Sequence, residues 1–272
     1  MATDPLVDTQ LAFDSVAADY DGPSGNNVLI QQLRQQTLAA VTRYVASGSR
    51  LVDLGCGTGL DAAYLAQRGY SVTATDWSGE MVRRTQQRAV AAGLEARLEA
   101  RHVGIQAIGQ LPTGAYAAAY SDLGPLNCVP DLAEAARGLA KIIRPGGYLI
   151  ASVIGRICPW ELALFAAQGN WARVRVRFAP GPVAVPLNGH TVWTRYFSPG
   201  EFEAVFRRVG FQRRELRGLS VLVPPPYMEA FAARHGRLTA ALARLEQTMG
   251  GWPVLRGWGD HFLIVLQKTS LP

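Results

Sequence analysis

The sequence predicts an α/β protein whose central sheet of seven strands is covered by helices on both faces. Three observations support this fold class. Short apolar runs alternate with amphipathic stretches from Arg50 to Lys268, a glycine-rich turn follows the first apolar run, and the helix-like stretches end at or near glycines. Such alternation along a chain is typical of a parallel sheet with helical crossovers.

The central part of the chain, residues 46–154, contains five of the predicted strands and three predicted helices. The strands are predicted at 50–55, 71–76, 96–103, 115–122 and 148–154. The helices are predicted at 60–69, 78–93 and 132–147. Ser78 can cap the second of these helices, and Glu80 stands near its positive end. Residues 198–218 then supply a helix and a sixth strand, and residues 257–272 supply the last strand.

Two segments interrupt this pattern, and we expect both to be insertions at the carboxyl edge of the sheet. Residues 155–197 begin with a helix-like stretch and continue with period-two alternation at 173–178, 183–187 and 190–197. Asn188-Gly189 lies between the last two runs and predicts a hairpin turn. We therefore expect a cap that contains a β-hairpin. Residues 219–256 form the second insertion, which is predicted to be largely helical.

The alternation at 173–178 predicts a strand that places three arginines on one face. These are Arg173, Arg175 and Arg177. They could bind a phosphate or carboxylate group, but the pattern favours a solvated edge strand protected by charge.

Composition excludes several classes of protein. The chain has 272 residues, of which 49% are apolar, so it can form a substantial core. It has no apolar run long enough to cross a bilayer and no signal-peptide pattern at its start, so we expect a cytoplasmic protein without a transmembrane segment. The three cysteines lack the spacing of a metal site, so no metal is expected. The net charge of +6 comes almost entirely from dispersed arginines, which argues against a nucleic-acid partner.

The glycine-rich turn is the clearest functional motif in the sequence. It reads Asp53-Leu54-Gly55-Cys56-Gly57-Thr58-Gly59, directly after a buried strand and before a helix. Glycines in such a turn adopt positive φ angles and let a nucleotide cofactor approach the backbone closely. Asp76 follows at the end of the second strand, where its carboxylate can accept hydrogen bonds from two ribose hydroxyls. Trp77 and Met81 are candidates for an apolar wall beside the adenine.

Together these motifs resemble those of the class I S-adenosylmethionine (SAM) dependent methyltransferases of the small-molecule type. The resemblance also includes the segment from Ser121 to Asp131 and the turn at 144–147. It implies a Rossmann-like sheet in a single domain over 1–272, with residues 1–45 as a helical lid. It implies SAM as the cofactor, S-adenosylhomocysteine as the product and a small-molecule acceptor.

The resemblance also assigns residues to the cofactor. Tyr20 is expected to close over the methionine end, and Asp53 to attract the ammonium group. The backbone at Gly55, Cys56 and Gly57 is expected to face the cofactor. Gly59 completes the glycine turn, and Ser121 and Leu123 are expected to border the sulfonium.

Two positions depart from the family pattern. Such enzymes often place an acidic residue against the adenine amino group at the end of the third strand, whereas this sequence has Val103-Gly104-Ile105-Gln106 there. Gln106 or backbone groups must then bind the adenine. Many small-molecule members carry paired histidines after the fourth strand, whereas this sequence has Asn127 and Cys128. A base at that site is therefore in doubt, and Asn127 is instead a candidate for the acceptor pocket.

Other functions fit the motifs less well. A nicotinamide-dependent oxidoreductase has a GxGxxG turn, whereas the third glycine here comes two positions after the second. A nucleic-acid methyltransferase of the base-amino type has an Asn/Asp-Pro-Pro-aromatic motif after the fourth strand, where this sequence reads Ser121-Asp122-Leu123-Gly124. A SAM-binding protein without methyl transfer, such as a regulator or a cyclase, stays open as the alternative.

The insertions are expected to bind the acceptor, because ligands of open α/β sheets lie beyond the carboxyl ends of the strands. Their aromatic side chains include Trp160, Trp193 and Tyr227, which predict an apolar or lipid-like acceptor that is methylated on oxygen, nitrogen or carbon. His261 at the start of the last strand is the first candidate for a base, with Asp260 beside it, and His190 in the cap is the second. We expect a monomer or a homodimer.

Overall fold

The computed structural model describes residues 4–23 and 25–269. Within them the chain forms nine strands and ten α-helices. The strands are β1 Arg50–Leu54, β2 Ser71–Asp76, β3 Leu98–His102, β4 Tyr116–Ser121, β5 Ile143–Ile154, β6 Val183–Leu187, β7 His190–Thr194, β8 Phe211–Leu219 and β9 His261–Lys268. The helices are α1 Pro5–Val16, α2 Val28–Tyr44, α3 Leu60–Gln67, α4 Gly79–Ala91, α5 Leu132–Ile142, α6 Pro159–Ala167, α7 Trp171–Val176, α8 Pro199–Arg207, α9 Glu229–Arg234 and α10 Gly236–Met249.

Seven strands form one sheet in the order β3-β2-β1-β4-β5-β9-β8, which confirms the predicted fold class. Strands β1 to β5 are parallel, and β9 runs antiparallel to both β5 and β8. The chain leaves β1 toward β2 on one side and later returns to β4 on the other. A crevice opens where the strand order reverses in this way, and open α/β sheets bind their ligands there.

Apolar side chains cover both faces of the sheet. Along β5, Leu149 and Ala151 face the core layer that contains α5 and α8, whereas Ile150 faces the layer that contains α2 and α3. Each of these residues is 0% exposed. The alternation follows from the two-residue period of a strand and explains why the central strands are apolar at successive positions.

The hairpin predicted at Asn188-Gly189 is confirmed. Strands β6 and β7 form a separate two-stranded antiparallel sheet, and both turn residues have positive φ angles of 47° and 79°. The hairpin packs against α1: the Trp193 backbone N–H donates to Thr9 Oγ1 at 3.3 Å, and Asn188 Nδ2 donates to Ser15 Oγ at 3.1 Å. The N-terminal helix and the cap therefore contact each other directly.

The second insertion is anchored to the sheet through a buried carboxylate. Glu246 of α10 is 3% exposed, and its two oxygens accept backbone N–H groups from four consecutive residues, 220–223, at 2.8 to 3.1 Å. These residues directly follow β8. The carboxylate thus satisfies buried donors that the end of the strand leaves unpaired.

One predicted element is wrong. Residues 173–178 do not form a strand, because Trp171–Val176 is the helix α7. Asn170 caps this helix through its side chain, which accepts the Arg173 backbone N–H at 3.1 Å. Alternating valine and arginine resembled a strand, but valine costs a helix little and arginine favours one. The three arginines therefore do not share one strand face: Arg173 and Arg175 are exposed, whereas Arg177 is buried.

Among the helices of the described residues, none is both long enough and apolar enough to span a membrane.

Candidate active site

A cavity lies at the carboxyl ends of β1, β2 and β4, beneath α1 and beside β7. Ten of the predicted cofactor residues line it: Tyr20, Asp53, Gly55, Cys56, Gly57, Asp76, Trp77, Met81, Gln106 and Leu123. These residues are distant in sequence and come from the lid, the glycine turn and the ends of several strands. The crevice produced by the strand order therefore contains most of the predicted cofactor residues.

The glycine turn depends on its backbone conformation. Gly55 and Gly57 have φ angles of 74° and 54°, in the left-handed region that favours glycine. A Cβ atom at Gly55 would lie 2.5 Å from the side chain of Pro125, and one at Gly57 would lie 3.5 Å from the ring of Tyr20. A side chain at Gly57 would therefore extend toward the lid, and one at Gly55 would collide with the segment that follows β4.

Asp76 connects the glycine turn to the start of α4. Its Oδ2 accepts the Gly57 backbone N–H at 2.9 Å, and its Oδ1 accepts the Ser78 N–H at 2.8 Å. Burial raises the pKa of Asp76 to about 6, against the opposing effect of these backbone donors. The carboxyl group is thus held in place at the cavity wall, where it can also accept hydrogen bonds from a ligand.

An apolar wall follows Asp76 at the same end of the cavity. Trp77 and Met81 line it together with Ile105 and Gln106. The indole ring lies 5.7 Å from the ring of His102, whose Nε2 is 2.7 Å from the Trp77 carbonyl oxygen. A flat apolar base fits between such side chains.

The lid is tied to the glycine turn by polar contacts. Thr58 Oγ1 donates to Asp21 at 2.5 Å, and Arg88 binds the other oxygen of that carboxylate at 2.5 Å. Next to Asp21, Tyr20 lines the cavity, and burial raises the pKa of its hydroxyl to about 12. The hydroxyl is therefore neutral near pH 7.

Two predicted cofactor residues support the cavity from outside its lining. Gly59 directly precedes α3 with a φ angle of 80°, and a Cβ atom there would lie 2.7 Å from Thr85. Ser121 is 0% exposed and donates to the Leu54 carbonyl oxygen at 3.2 Å. Both positions shape the backbone that faces the cavity.

The four predicted acceptor residues lie outside the lining. Asn127 is 1% exposed, and its amide binds the backbone of Ile154 and Arg195 at 2.7 to 3.0 Å. Trp160 donates to the Leu222 carbonyl oxygen at 3.1 Å. Trp193 contacts α1 through its backbone, and Tyr227 is 54% exposed. Their roles in acceptor binding stay predictions.

Neither predicted base is among the described residues that line the cavity. His261 is 6% exposed, and its Nδ1 lies 3.0 Å from Asp260 Oδ2. It pairs across the ladder with Ile154, which does line the cavity. His190 begins β7 and pairs with Leu187 beside the hairpin turn. Their catalytic roles stay predictions.

Comparison with known proteins agrees with this geometry. The sequence profile of a family described as "Methyltransferase domain" matches residues 51–147. A ubiquinone biosynthesis O-methyltransferase of Alkalilimnicola ehrlichii is 27% identical over 229 residues, which cover 80% of this chain and 87% of that relative. A protein of the same name from Xylella fastidiosa is 29% identical over 218 residues, covering 77% of this chain and 81% of the relative.

The chain therefore contains a methyltransferase domain over residues 51–147.

Solved structures show the same fold for this methyltransferase. The 1,6-didemethyltoxoflavin-N1-methyltransferase of Burkholderia thailandensis, solved with S-adenosylhomocysteine, has a TM-score of 0.62 at 15% identity and covers 99% of this chain and 92% of its own. The geranyl diphosphate C-methyltransferase of Streptomyces coelicolor also has a TM-score of 0.62, at 14% identity, with 98% and 99% covered. At these identities the likeness concerns the fold alone.

The sequence motifs and the methyltransferase-domain match both imply SAM as the cofactor. The cavity suits this cofactor because the glycine turn leaves open the space that Cβ atoms would fill. The carboxyl oxygens Asp53 Oδ2 and Asp122 Oδ2 are also buried at the cavity and have no hydrogen-bond partner within residues 4–23 and 25–269. A ligand that carries positive charge complements such groups.

Sequence reasoning missed several residues that line the cavity of the methyltransferase. They are Leu6, Thr9, Arg34, Asp61, Pro125, Val129, Ile154, Val192 and Thr194, together with Phe13 of the predicted lid and Ile105, Asp122, Gly124 and Cys128, which were noted without a binding role. Arg34 and Asp61 form an ion pair at 3.0 Å across 27 positions of sequence. Of these two residues, only Asp61 could have been recognised from the sequence, because it lies in the first turn of the helix that follows the glycine motif.

Proposed function

We propose that this methyltransferase transfers the methyl group to a hydroxyl group of an uncharged, largely apolar small molecule. The observation that carries this proposal is the composition of the cavity beyond the glycine turn. There α1 and β7 contribute Leu6, Thr9, Phe13, Val192 and Thr194, and Cys128 and Ile154 complete the wall. Small apolar and hydroxyl side chains of this kind suit a neutral ring or chain.

Charge argues against an anionic acceptor. Among the described residues that line the cavity, four are aspartates, Asp53, Asp61, Asp76 and Asp122, and the only arginine is Arg34, which is paired with Asp61. A phosphate or carboxylate group on the acceptor would meet net negative charge at short range. An acceptor without ionised acidic groups avoids this repulsion.

The choice of oxygen as the methylated atom rests on the relatives. The matching ubiquinone biosynthesis proteins are named O-methyltransferases and cover most of the chain. The cavity is compatible with a hydroxyl nucleophile, since Tyr20, Thr9 and Thr194 present hydroxyl groups that can orient one. A phenol or another hydroxyl on an apolar skeleton is therefore the proposed acceptor class.

For the cofactor, we propose that Asp76 binds the ribose hydroxyls and that Trp77 and Met81 contact the adenine. The side-chain amide of Gln106 can bind the adenine base. Gln106 would thus replace the acidic residue that the family often has at the end of the third strand. Gly57 provides room next to the ring of Tyr20. When bound, SAM supplies an electrophilic methyl group for displacement by a nucleophile.

The protein promotes methyl transfer mainly by positioning the acceptor against the cofactor and by excluding water from the cavity. The lid and the cap meet above the cavity through the contact between Trp193 and Thr9, and this contact encloses the acceptor end. Holding the reactants about 3 Å apart and aligned removes much of the entropic barrier of a bimolecular reaction. The Tyr20 hydroxyl, whose pKa is raised by burial, orients the acceptor as a neutral hydrogen-bonding group.

Calorimetry and an acceptor panel test the proposal. Wild-type protein is expected to bind SAM and S-adenosylhomocysteine, and Asp76→Ala and Gly57→Val are expected to weaken both. Mass spectrometry of gently purified protein and turnover with neutral apolar phenols against anionic analogues then address the acceptor. Preference for the anionic analogues would contradict the acceptor class. Binding of SAM without product from any acceptor would support a binding protein or cyclase instead.

A further inference from the structure

The net positive charge of the protein lies in its two insertions. The arginines are dispersed along the chain, but their excess over acidic residues is not. Residues 155–197 contain five arginines and one glutamate, which gives +4, and residues 219–256 contain four arginines and two glutamates, which gives +2. These two segments account for the whole net charge of +6, so the rest of the chain is neutral overall. Charge of one sign on one part of a protein indicates an anionic partner.

The second insertion and the turn after it have almost no acidic residues to balance their arginines. Between residues 230 and 258 the one acidic residue is Glu246, which is buried and binds backbone N–H groups. Four arginines occur in the same range, and none of them forms an ion pair within residues 4–23 and 25–269: Arg234, Arg237, Arg244 and Arg256. The exposed side of this segment is therefore basic.

The outer side of α10 combines apolar and basic side chains. The buried carboxylate of Glu246 fixes the opposite side of the helix against the sheet. Leu238 and Leu245 are seven positions apart, about two helical turns, and their side chains are 50% and 52% exposed. Arg237 and Arg244 have the same spacing and are also exposed. A row of leucines therefore lies beside a row of arginines on the solvent side of the helix.

Exposed apolar side chains are concentrated around this helix. Of the thirteen large apolar side chains that are exposed in the described part of the chain, six lie between residues 227 and 258: Tyr227, Leu238, Leu245, Trp252, Val254 and Trp258. Trp252 comes directly after α10. Tryptophan has an apolar ring and a polar N–H, and it is typical of the boundary between lipid and water. A concentration of exposed apolar side chains indicates an interaction surface.

The charges favour one kind of partner for this surface. A second copy of the chain would bring the same arginines without exposed acidic residues, and like charges at short range repel. An anionic bilayer complements both rows of α10, because its phosphates attract arginine and its acyl chains accept leucine and tryptophan. Arginine also fits the boundary itself, since its apolar stem can lie along lipid while its guanidinium binds phosphate.

We propose that the outer side of α10 binds an anionic lipid surface. The α10 surface consists of three apolar and two basic residues: Leu238, Leu245, Trp252, Arg237 and Arg244. The apolar side chains enter the boundary between headgroups and acyl chains, and the arginines bind lipid phosphate groups. This interaction goes beyond methyl transfer and depends on neither the cofactor nor the acceptor.

Flotation of the purified protein with lipid vesicles tests the proposal. The protein is expected to bind vesicles of phosphatidylcholine mixed with phosphatidylglycerol and to bind pure phosphatidylcholine at least about tenfold more weakly. High salt should weaken binding to the anionic vesicles. Arg237→Gln combined with Arg244→Gln is expected to lower the affinity for these vesicles by about tenfold or more, and so is Leu238→Ser combined with Leu245→Ser. Lipids brominated on their acyl chains should quench tryptophan fluorescence less in Trp252→Phe than in wild type.

Matched variants control for net charge and for general hydrophobicity. Arg137→Gln combined with Arg144→Gln removes the same charge from two exposed positions of the core, in α5 and β5. Val90→Ser removes an apolar side chain of α4 that is 64% exposed. Both controls are expected to keep the vesicle affinity within about twofold of wild type, because charges beyond a Debye length from the lipid are screened. The melting temperature of each variant checks that it is folded.

Each other outcome contradicts the proposal. Absence of binding to the anionic vesicles overturns it. An equal loss for Arg137→Gln with Arg144→Gln means that net charge alone attracts the protein. A loss for the arginine pair without a loss for the leucine pair means that the surface recognises a polyanion, such as a nucleic acid or an acidic protein. If the leucine pair lowers the mass measured by sedimentation, the surface joins two copies of the chain. The assay contains neither cofactor nor acceptor, so all these outcomes leave the proposed function untouched.

Discussion

Arg177 and Asp260 form a buried ion pair between the cap and the start of β9, with their nearest nitrogen and oxygen 2.5 Å apart. The same guanidinium binds both oxygens of Glu161 in α6 and the carbonyl oxygens of Gly155 and Asp260. Neither α6 nor α7 contains a buried residue, and Arg177 directly follows α7. A buried ionic contact therefore connects these two helices to the start of β9.

We predict that Arg177→Met destabilises the protein by about 3 kcal/mol or more, because it leaves Asp260 as a buried carboxylate without its guanidinium. Urea unfolding measures the loss. Arg173→Met, four positions earlier in α7, is the matched control, and its exposed side chain is expected to change stability by less than about 0.5 kcal/mol. Equal stability of the two variants would show that the buried pair does not hold the cap.

We predict that binding of S-adenosylhomocysteine releases protons near pH 6. Burial raises the pKa of Asp61 and of Asp76 from 3.8 to about 6, so below this pH each carboxyl group is largely protonated in the free protein. A ligand ammonium near Asp53, whose charge couples to that of Asp61, and ribose hydroxyls at Asp76 favour the carboxylates and lower both pKa values. Affinity should therefore increase as the pH rises through about 6 and level off above it.

Calorimetry at pH 6 in two buffers with different ionisation enthalpies counts the released protons. Asp61→Asn should reduce this number. The same enthalpy in both buffers would mean that neither carboxyl group changes its protonation when the ligand binds.

We predict that Val192→Phe lowers turnover of the acceptor by about tenfold or more and leaves the affinity for S-adenosylhomocysteine unchanged. Val192 is 6% exposed and lines the cavity from the hairpin, so a larger side chain there occupies the proposed acceptor space. Ala184→Phe is the control, because Ala184 belongs to the same hairpin but is exposed. A parallel loss of cofactor affinity would place Val192 at the cofactor instead.

We predict that His261→Gln leaves turnover close to that of wild type. Ile154 takes the cavity-lining position on the adjacent strand, and His261 is buried beside Asp260. Turnover against pH, with melting temperature and cofactor affinity as controls, tests this. A fall of about a hundredfold with both controls intact would instead establish the base role that the sequence suggests for His261.

The sequence by itself determined the features that depend on neighbouring residues. The glycine turn at 53–59, the acidic end of β2 at Asp76 and the hairpin turn at Asn188-Gly189 each require particular residue types within a few positions. The two turns need residues that adopt positive φ angles, and the end of β2 needs a carboxylate. Both requirements can be recognised from a few neighbouring residues in the sequence. The same holds for the strand and helix periods of the core.

The arrangement of distant side chains was decided only by the tertiary structure. Arg34, Asp61 and Asp122 carry no shared motif, and they meet because α2, α3 and the end of β4 converge at one edge of the sheet. The two insertions also show this, since Val192 and Thr194 line the cavity while the more conspicuous Trp160 and Tyr227 do not. At 173–178 the period-two pattern predicted a strand, whereas the chain forms the end of α7 there. The burial of Arg177 was also not predictable, because its partner Asp260 lies 83 positions away in the sequence. Interactions over such separations depend on how the elements pack, and no local pattern encodes that packing.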